Sequence, residues 1–221
     1  MKYIAALYAN GKVVTGGHHG DAFTKLTLED QQGEITSGFI DSETGKFISD
    51  EIEFYAKNII LIRHAHACDY FDPGISGLGY SQCERVVHFL RETQNVQEYQ
   101  GFASCCNRTR ETAEFIFGRL GIHYEVRPDF CDQRNWDLPC WRAASQWFES
   151  PYSFVERLRY ILNTLPANSI IISHCNFVAN MAQLASNTED ITELPEWSGS
   201  IPHCSVTCVI NNKLLCIGKI I

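Results

Sequence analysis

Two histidines follow strongly apolar segments, and imidazoles in such places can bind ligands or transfer protons. His64 comes after Arg63 at the end of the apolar run 58–62, and His174 directly follows the run 169–173. Because ligands bind outside the carboxyl ends of the strands in an open α/β sheet, two such strands would bring both imidazoles to one edge. Either histidine alone would also fit a hydrogen-bonded residue at a strand end, so the pairing is what favours a site.

Short β-type runs and amphipathic helical stretches alternate from Lys57 onward. The runs 58–62 and 169–173 are continuously apolar, as expected for parallel strands buried on both faces. Further elements are predicted as helices at 81–91, 109–120, 154–165 and 178–185, and as strands at 102–104, 205–210 and 213–217. Asn211 and Asn212 separate the last two strands, a pair typical of a tight hairpin. The alternation predicts an α/β fold whose mostly parallel sheet is flanked by helices.

The first 57 residues have a different pattern. Short β-type pieces are separated by turns that contain glycine and aspartate, and they lie at 3–7, 12–15 and 39–40. We predict a small β-rich N-terminal module of unknown role at 1–57, followed by one domain at 58–221. The total of 221 residues fits this division, since a typical domain has roughly 100–200 residues.

The overall charge excludes broad electrostatic binding to polyanions. A net charge of -8 argues against contact with nucleic acid or with an anionic membrane surface, both of which need basic patches. An anionic ligand must therefore meet a local positive pocket. The chain has no run of about 18 apolar residues and no signal-peptide pattern, so we expect a cytoplasmic protein. Most of the 10 cysteines lie in apolar stretches, which fits reduced thiols in that compartment.

Five segments with recognisable motifs follow one another along the chain. The first is Arg63-His64-Ala65, and the others lie at 75–82, 104–113, 171–174 and 201–207. In this order they resemble the motifs of the histidine phosphatase superfamily, whose first signature is Arg-His-Gly. The resemblance covers about residues 58–221. It implies the three-layer phosphoglycerate mutase-like fold and phosphatase chemistry that needs no metal.

The resemblance implies that His64 is the nucleophile and that His174 binds and stabilises the transferred phosphoryl group. A histidine attacks as neutral imidazole, and flanking guanidinium groups lower its pKa because they disfavour a second positive charge. Arg63 and Arg108 would supply that charge. Their planar guanidinium groups would also hold phosphoryl oxygens through paired hydrogen bonds. Such a set positions and stabilises a phosphoryl group without a metal.

Two of the substrate-binding assignments have alternatives in the sequence. Arg110 competes with Arg108 for the second arginine position, and the spacing to Thr112 favours Arg108. Ser76 could orient a phosphate oxygen, although a serine there more often caps the following helix. We therefore expect Arg63, Arg108 and Ser76 to bind the substrate.

The proton donor for the leaving group is the residue that the pattern defines least. Many family members have a glutamate where this chain has the segment 131–136, and Asp132 falls closest to that position. We predict Asp132 as the general acid and Asp137 as its alternative; either carboxyl must be kept protonated by burial or by a neighbouring charge. If neither serves, substrates with good leaving groups, such as phosphohistidine or acyl phosphates, are favoured over alkyl esters.

The residues after His64 bear on the choice between phosphatase and mutase. Mutases of the family continue with Gly-Glu-Ser or Gly-Glu-Thr, whereas residues 65–67 are Ala-His-Ala. The connection 70–108 is also short for the mutase insertions. A phosphatase acting on a small phosphorylated substrate or a phosphoprotein is therefore predicted. The alternatives are a catalytically weak, phosphate-recognising regulatory module and a phosphoryl transferase of the mutase type.

Metal ligation has little support in the sequence. Zinc could be suggested by His64 with His66 and Cys68, or by His174 with Cys175, but no closed four-ligand spacing is present. We therefore predict no metal and no cofactor.

Two adjacent cysteines precede the second arginine of the motif set. Cys105 and Cys106 are predicted to form a buried pair behind the loop of Arg108. Thiols so near a positive pocket could instead be reactive, because positive charge favours the thiolate.

Overall fold

The computed structural model describes residues 57–68, 73–93, 95–132, 151–186 and 200–221, together with the backbone of five short strands between residues 6 and 49. The chain divides into two units, one made of Met1–Glu53 and Trp147–Thr164 and the other of Phe54–Gln146 and Leu165–Ile221. The candidate site residues that the structure describes all belong to the second unit.

Five antiparallel strands lie in the N-terminal segment. They are β1 (Ala6–Ala9), β2 (Lys12–Thr15), β3 (Lys25–Glu29), β4 (Ile35–Ile40) and β5 (Phe47–Ser49). β1 pairs with β2, and β3, β4 and β5 form a separate sheet in that order. β2 coincides with a predicted strand, while the predicted module boundary at residue 57 stays a prediction.

The second unit contains a six-stranded sheet. Its strands are β6 (Asn58–Arg63), β7 (Gln100–Ala103), β8 (Tyr124–Val126), β9 (Asn168–Ser173), β10 (Val206–Ile210) and β11 (Lys213–Lys219). Their order is β11-β10-β6-β9-β7-β8. β6, β9, β7 and β8 are parallel, and β10 runs antiparallel to both of its neighbours. The sheet is thus mixed. Four of its six strands are parallel, in line with the mostly parallel sheet that the sequence predicts.

Four α-helices are present in the described ranges. They are α1 (Gly77–Thr93), α2 (Asn107–Leu120), α3 (Pro151–Thr164) and α4 (Cys175–Ser186), and two short 3-10 turns lie at Val96–Glu98 and Pro128–Phe130. α2 ends at Gly121, whose φ of 70° is the left-handed cap conformation that glycine adopts readily. α3 belongs to the first unit together with Met1–Glu53, and the sequence pattern does not predict this grouping.

The two central strands are buried on both faces, as their continuous apolar runs predict. Ile60 and Ile62 of β6 lie in one core cluster with apolar side chains of α1 and α2. Ile59 and Leu61 are equally buried and point to the opposite face, because side chains alternate along a strand. α4 packs against β6, β10 and β11. Helices on both faces of the sheet give three layers, and each buried isoleucine contributes about 1.5–3 kcal/mol.

Loops from four strands meet at one edge of this sheet. Arg63, Ala103 and Ser173 are the final residues of the parallel strands β6, β7 and β9. β10 is antiparallel, and its first residue, Val206, lies opposite Ile62. The chain that leads into β10 therefore arrives where the three parallel strands end, which is the edge that binds ligands in open α/β sheets.

Candidate active site

His64 directly follows β6 and is 6% exposed. Its Nδ1 atom lies 2.8 Å from the backbone oxygen of Ala65. Because a carbonyl oxygen only accepts, Nδ1 carries the proton and the Nε2 lone pair of the neutral ring stays available. The backbone N–H of Ala65 donates to Oγ1 of Thr112 at 3.1 Å, which ties this loop to α2. An imidazole nucleophile that attacks through Nε2 needs this tautomer.

Burial and neighbouring positive charge both keep His64 neutral. Its pKa lies well below 6.5, first because burial disfavours the charged ring and then because His174, Arg108 and Arg63 disfavour a further positive charge. The hydrogen bond to Ala65 acts in the opposite direction and raises the pKa. The net lowering leaves the ring unprotonated, and therefore nucleophilic, at neutral pH.

His174 lies between β9 and α4, and side chains engage both of its ring nitrogens. Its carbonyl accepts the backbone N–H of Val178, and the residue is 2% exposed. Nδ1 lies 3.3 Å from Nη2 of Arg108, and Nε2 lies 2.8 Å from Oγ of Ser104. Because a guanidinium only donates, Nδ1 is the unprotonated nitrogen and Nε2 donates to Ser104. Oγ of Ser104 lies 2.7 Å from Oγ1 of Thr109, so two hydroxyls orient the ring.

The two histidines share one neighbourhood with both predicted arginines. The ring centroids of His64 and His174 are 5.3 Å apart, with the rings at 63°. Burial is the main cause that lowers the pKa of His174, a hydrogen bond and a charge interaction with Cys131 raise it, and the charges of Arg108 and Arg63 lower it further. The structure thus brings the four predicted residues together, although they are widely separated in the sequence.

The first turn of α2 distinguishes between the two candidate arginines. Arg108 is partly buried and contacts His174, whereas Arg110 is exposed. Oγ1 of Thr112 donates to the carbonyl of Arg108 at 2.6 Å. Arg108, as predicted, is therefore the arginine that reaches the histidines.

His203 is a site residue that the sequence analysis did not assign. Its ring centroid lies 5.1 Å from that of His64, and its Nε2 lies 3.0 Å from Nη2 of Arg63. Burial, and then the charges of Arg63, His66 and Arg108, lower the pKa of His203 to about 4. The neutral ring accepts from Arg63 and holds its guanidinium. His203 lies in a motif segment, but it precedes the antiparallel strand β10, so the strand-end rule does not find it.

Ser76 lies at the start of α1 and reaches the histidines through His66. Its Oγ atom accepts the backbone N–H of Gly79 at 3.2 Å and lies 2.8 Å from Nδ1 of His66. The first contact caps the helix, which was the alternative role for this serine. The ring of His66 is 5.6 Å from that of His203. Ser76 therefore holds a histidine at the margin of the cluster.

Asp132 contacts the start of α4. Its Oδ1 accepts the backbone N–H of Phe177 at 3.0 Å, and its Oδ2 accepts that of Asn176 at 3.4 Å. A carboxylate at a helix N-terminus is stabilised in its charged form by these N–H groups. The charge of Asp132 also acts on Arg63 and raises the pKa of that guanidinium against the lowering caused by burial. Asp137, the alternative acid, lies outside the described residues.

Two cysteines lie close to His174, and a third contacts one of them. The Sγ atom of Cys131 is 3.4 Å from that of Cys105 and 4.0 Å from that of Cys106. Cys106, Cys131 and His174 offer ligand atoms that all lie within 4.8 Å of one another. Within the described ranges this is the one such group of three, and neither zinc set considered from the sequence forms one.

The groups at this edge could together support an anion site with a nucleophile. His64 presents an unprotonated Nε2, and Arg63 and Arg108 supply fixed positive charge. The N-terminus of α2 lies at the same edge, and its partial positive charge also favours an anion. A tetrahedral oxyanion held by these groups would lie within reach of the imidazole.

Known proteins resemble this chain in sequence and in fold. The family model of the histidine phosphatase superfamily (branch 1) matches residues 59–212. No curated protein matches the chain. No helix in the described ranges is long and apolar enough to cross a membrane, and the cytoplasmic location stays a prediction.

Solved structures share the fold at low sequence identity. A mycobacterial glucosyl-3-phosphoglycerate phosphatase in complex with VO3 is 17% identical with a TM-score of 0.50, over 69% of this chain and 90% of its own. A protein from Thermus thermophilus, TTHB049, is 20% identical with a TM-score of 0.51, over 72% and 97% of the two chains. A protein described as mycobacterial hydrolase 1 is 16% identical with a TM-score of 0.52, over 70% and 91%. The family match extends over most of the chain and includes all four clustered residues, so this protein belongs to the histidine phosphatase superfamily.

Proposed function

We propose that this protein is a phosphatase that hydrolyses a phosphorylated small molecule or phosphoprotein through a phosphohistidine intermediate on His64. Family membership supports phosphatase chemistry, and a small phosphate ester is the kind of substrate that the name of the mycobacterial neighbour describes. The observation that carries the proposal is the buried, neutral His64, whose Nε2 is unprotonated beside Arg108 and His174.

In the first step the phosphoryl group binds between the two arginines. Arg63 is held by His203, and Arg108 rises from the first turn of α2, so both guanidinium groups are oriented before the substrate arrives. Pre-oriented donors stabilise charge without reorganising during the reaction. His174 acts on the same oxygens through Arg108, because its Nδ1 lone pair accepts from that guanidinium and orients it.

In the second step Nε2 of His64 attacks phosphorus in line with the leaving oxygen. The N–P bond forms as the P–O bond breaks, and the bonding pair goes to the leaving group. Water then attacks phosphorus, the N–P bond breaks, and its electron pair returns to Nε2. Inorganic phosphate leaves with the oxygen of that water, and the proton lost by the water stays on phosphate or enters solvent.

The leaving oxygen needs a proton when it is strongly basic. We assign this step to Asp132, whose carboxylate lies at the start of α4 and interacts with Arg63. Protonating it weakens its two hydrogen bonds from backbone N–H groups, so its help to a basic leaving group is small. The favoured substrates are therefore those with good leaving groups, such as aryl phosphates, acyl phosphates and phosphoramidates.

Hydrolysis of an aryl phosphate in the presence of excess chelator tests the proposal. Turnover should be lost in His64→Ala, and His88→Ala is the matched control because His88 lies exposed on α1. We expect His64→Ala to lower kcat on the order of 10^4-fold or more, since the covalent route is removed. Full activity in His64→Ala would overturn the assignment of the nucleophile.

A phosphate-recognising module with weak turnover is the second candidate. The engagement of both carboxylate oxygens of Asp132 at a helix N-terminus favours it, because a proton donor is then least available. Under single-turnover conditions this module would bind phosphate without releasing it from an ester. Release of one equivalent of phosphate from an aryl ester would exclude the second candidate.

A further inference from the structure

Three cysteines form a group, here called the thiol cluster: Cys106 and Cys131, which lie close to His174, and Cys105, which contacts Cys131. Cys106 and Cys131 are fully buried, and Cys105 is partly exposed. The cluster joins the loop after β7 to the 3-10 turn before Asp132. None of these thiols has a role in the phosphatase chemistry proposed above.

The spacing of the ligand atoms matches a tetrahedral zinc site. With Zn–S bonds of about 2.3 Å and a Zn–N bond of about 2.0–2.1 Å, tetrahedral ligand atoms lie about 3.5–3.8 Å apart. The Sγ atom of Cys131 lies 3.4 Å from Cys105 and 4.0 Å from Cys106. The atoms offered by Cys106, Cys131 and His174 all lie within 4.8 Å of one another. Small rotations of the side chains of Cys106, Cys131 and His174 would therefore bring them onto one ion, and Cys105 is the next thiol in reach through its contact with Cys131.

The hydrogen bonds of His174 fix the tautomer that a zinc ligand needs. Nε2 donates to Ser104, whose hydroxyl is itself 2.7 Å from that of Thr109. Zinc-bound histidines characteristically donate their second ring nitrogen to such a partner, which fixes the ring and makes the other nitrogen more basic. Nδ1 is left with the lone pair that now accepts from Arg108, and that lone pair can bind a metal.

The charges of the pocket also suit a thiolate site. Zinc with two thiolates and a neutral imidazole has no net charge, and a third thiolate makes the site singly negative. Arg108 contacts His174, and Arg63 acts on the same ring, so a negative site would face two guanidinium groups. Each thiol that binds loses its proton to solvent as the Zn–S bond forms.

We propose that Cys106, Cys131 and His174 form a zinc-binding site, with Cys105 as its fourth ligand. Zinc there takes the Nδ1 lone pair of His174 and displaces Arg108 from it. Zinc and a phosphorylated substrate then exclude each other. This exclusion rests on the proposed function, whereas zinc binding itself does not.

Cobalt(II) replaces zinc as the probe, because thiolate coordination to cobalt gives strong absorption bands. The full-length protein, reduced and free of phosphate, should bind one equivalent of cobalt with thiolate-to-metal and tetrahedral bands that zinc abolishes. Cys131→Ser should lose these bands, and Cys68→Ser should keep them, since Cys68 is exposed and belongs to the other zinc set. Absence of the bands, or their persistence in Cys131→Ser, would overturn the site.

Two further measurements keep the result independent of folding defects. Ser104→Ala retains every proposed ligand but should weaken cobalt binding by about 10–100-fold, because it removes the partner that orients His174. Cys106→Ser should lose the bands as Cys131→Ser does, and thermal melting checks that each variant is folded. Unchanged affinity in Ser104→Ala would contradict the assigned tautomer.

Inhibition by zinc tests separately whether zinc and a phosphorylated substrate exclude each other. Zinc should inhibit aryl phosphate hydrolysis by the native protein, with reversal by chelator, and inhibit Cys131→Ser far less relative to its own zinc-free rate. Cobalt bands without zinc inhibition of an active protein would overturn the exclusion while the site stands. A protein that binds cobalt but hydrolyses no phosphate ester would contradict the proposed function instead.

Discussion

Strands β6 and β9 are each followed directly by a histidine, but the two imidazoles differ in their hydrogen bonds. The strands are adjacent and in register, with Arg63 opposite Ser173. The Nδ1–H of His64 donates a hydrogen bond to the carbonyl of Ala65, which leaves the lone pair on Nε2. In His174, by contrast, side chains engage both ring nitrogens. One strand end therefore carries a candidate nucleophile, and the other carries an imidazole that Ser104 and Arg108 hold at both nitrogens. The neighbours of each ring, rather than the strand-histidine pattern, determine this difference.

Removing each ring should give unequal losses, and this contrast is the largest expected effect. His64→Ala should lower kcat for an aryl phosphate on the order of 10^4-fold or more, because no other described group replaces the nucleophile. His174→Gln should lower it by about 10^2–10^3-fold, because Arg108, a donor to the transferring group, loses the ring nitrogen that orients it. Steady-state kinetics of both variants measure the contrast. Equal losses would remove the distinction between nucleophile and binding group.

The two arginines of α2 provide the next test. Arg108→Ala should lower kcat/KM by about 10^2–10^3-fold, since a charged donor to the transferring group is removed. Arg110→Ala is the matched control, because this side chain is exposed two residues away, and we expect less than a twofold change. A larger loss of kcat/KM in Arg110→Ala than in Arg108→Ala, measured on the same aryl phosphate, would exchange the roles of the two residues.

Asp132→Asn should separate substrates by their leaving groups. We expect about a tenfold loss with an alkyl phosphate and little loss with an aryl phosphate, because only the basic leaving oxygen needs a proton. Comparison of kcat/KM for the two substrates is the measurement. An equal loss with both would mean that Asp132 acts only through the start of α4.

The smallest expected effect is a shift in the pH profile. His64 must be neutral to attack, and its pKa is lowered from 6.5, so kcat/KM should decline only at acidic pH. Arg108 is one cause of that lowering, so Arg108→Ala should raise the pKa and move the acidic limb to higher pH. The pH profiles of kcat/KM are measured for both proteins with the same substrate. Ionisation of the substrate then affects both profiles equally and does not contribute to the shift. A shift to lower pH would contradict the assigned cause.

The part of the site that the sequence predicts is the part that follows parallel strands. Arg63, His64 and His174 are found because apolar runs mark buried strands, and such strands end at one edge of the sheet. Arg108 is found through its motif spacing. In each case the signal is local in the chain, and only the sheet is needed to bring the residues together.

The remainder depends on long-range contacts that local patterns do not encode. His203 arrives through an antiparallel strand, whose register with β6 brings it to Arg63. The bond from His174 to Ser104 joins residues 70 positions apart, and it decides which ring nitrogen is protonated. The packing of Cys131 against the two adjacent cysteines likewise needs the turn after β8. These contacts determine tautomer and charge, which is why the sequence predicts the members of the site better than their roles.

Trapping the covalent intermediate tests the central claim most directly. Native protein mixed with an aryl phosphate and quenched within one turnover should carry one phosphoryl group on His64, located by mass spectrometry of the digested chain under alkaline conditions. The group should form and decay at rates that account for turnover, and it should be absent from His64→Ala. Steady hydrolysis with no phosphorylated protein, or with the phosphoryl group on another residue, would contradict the account.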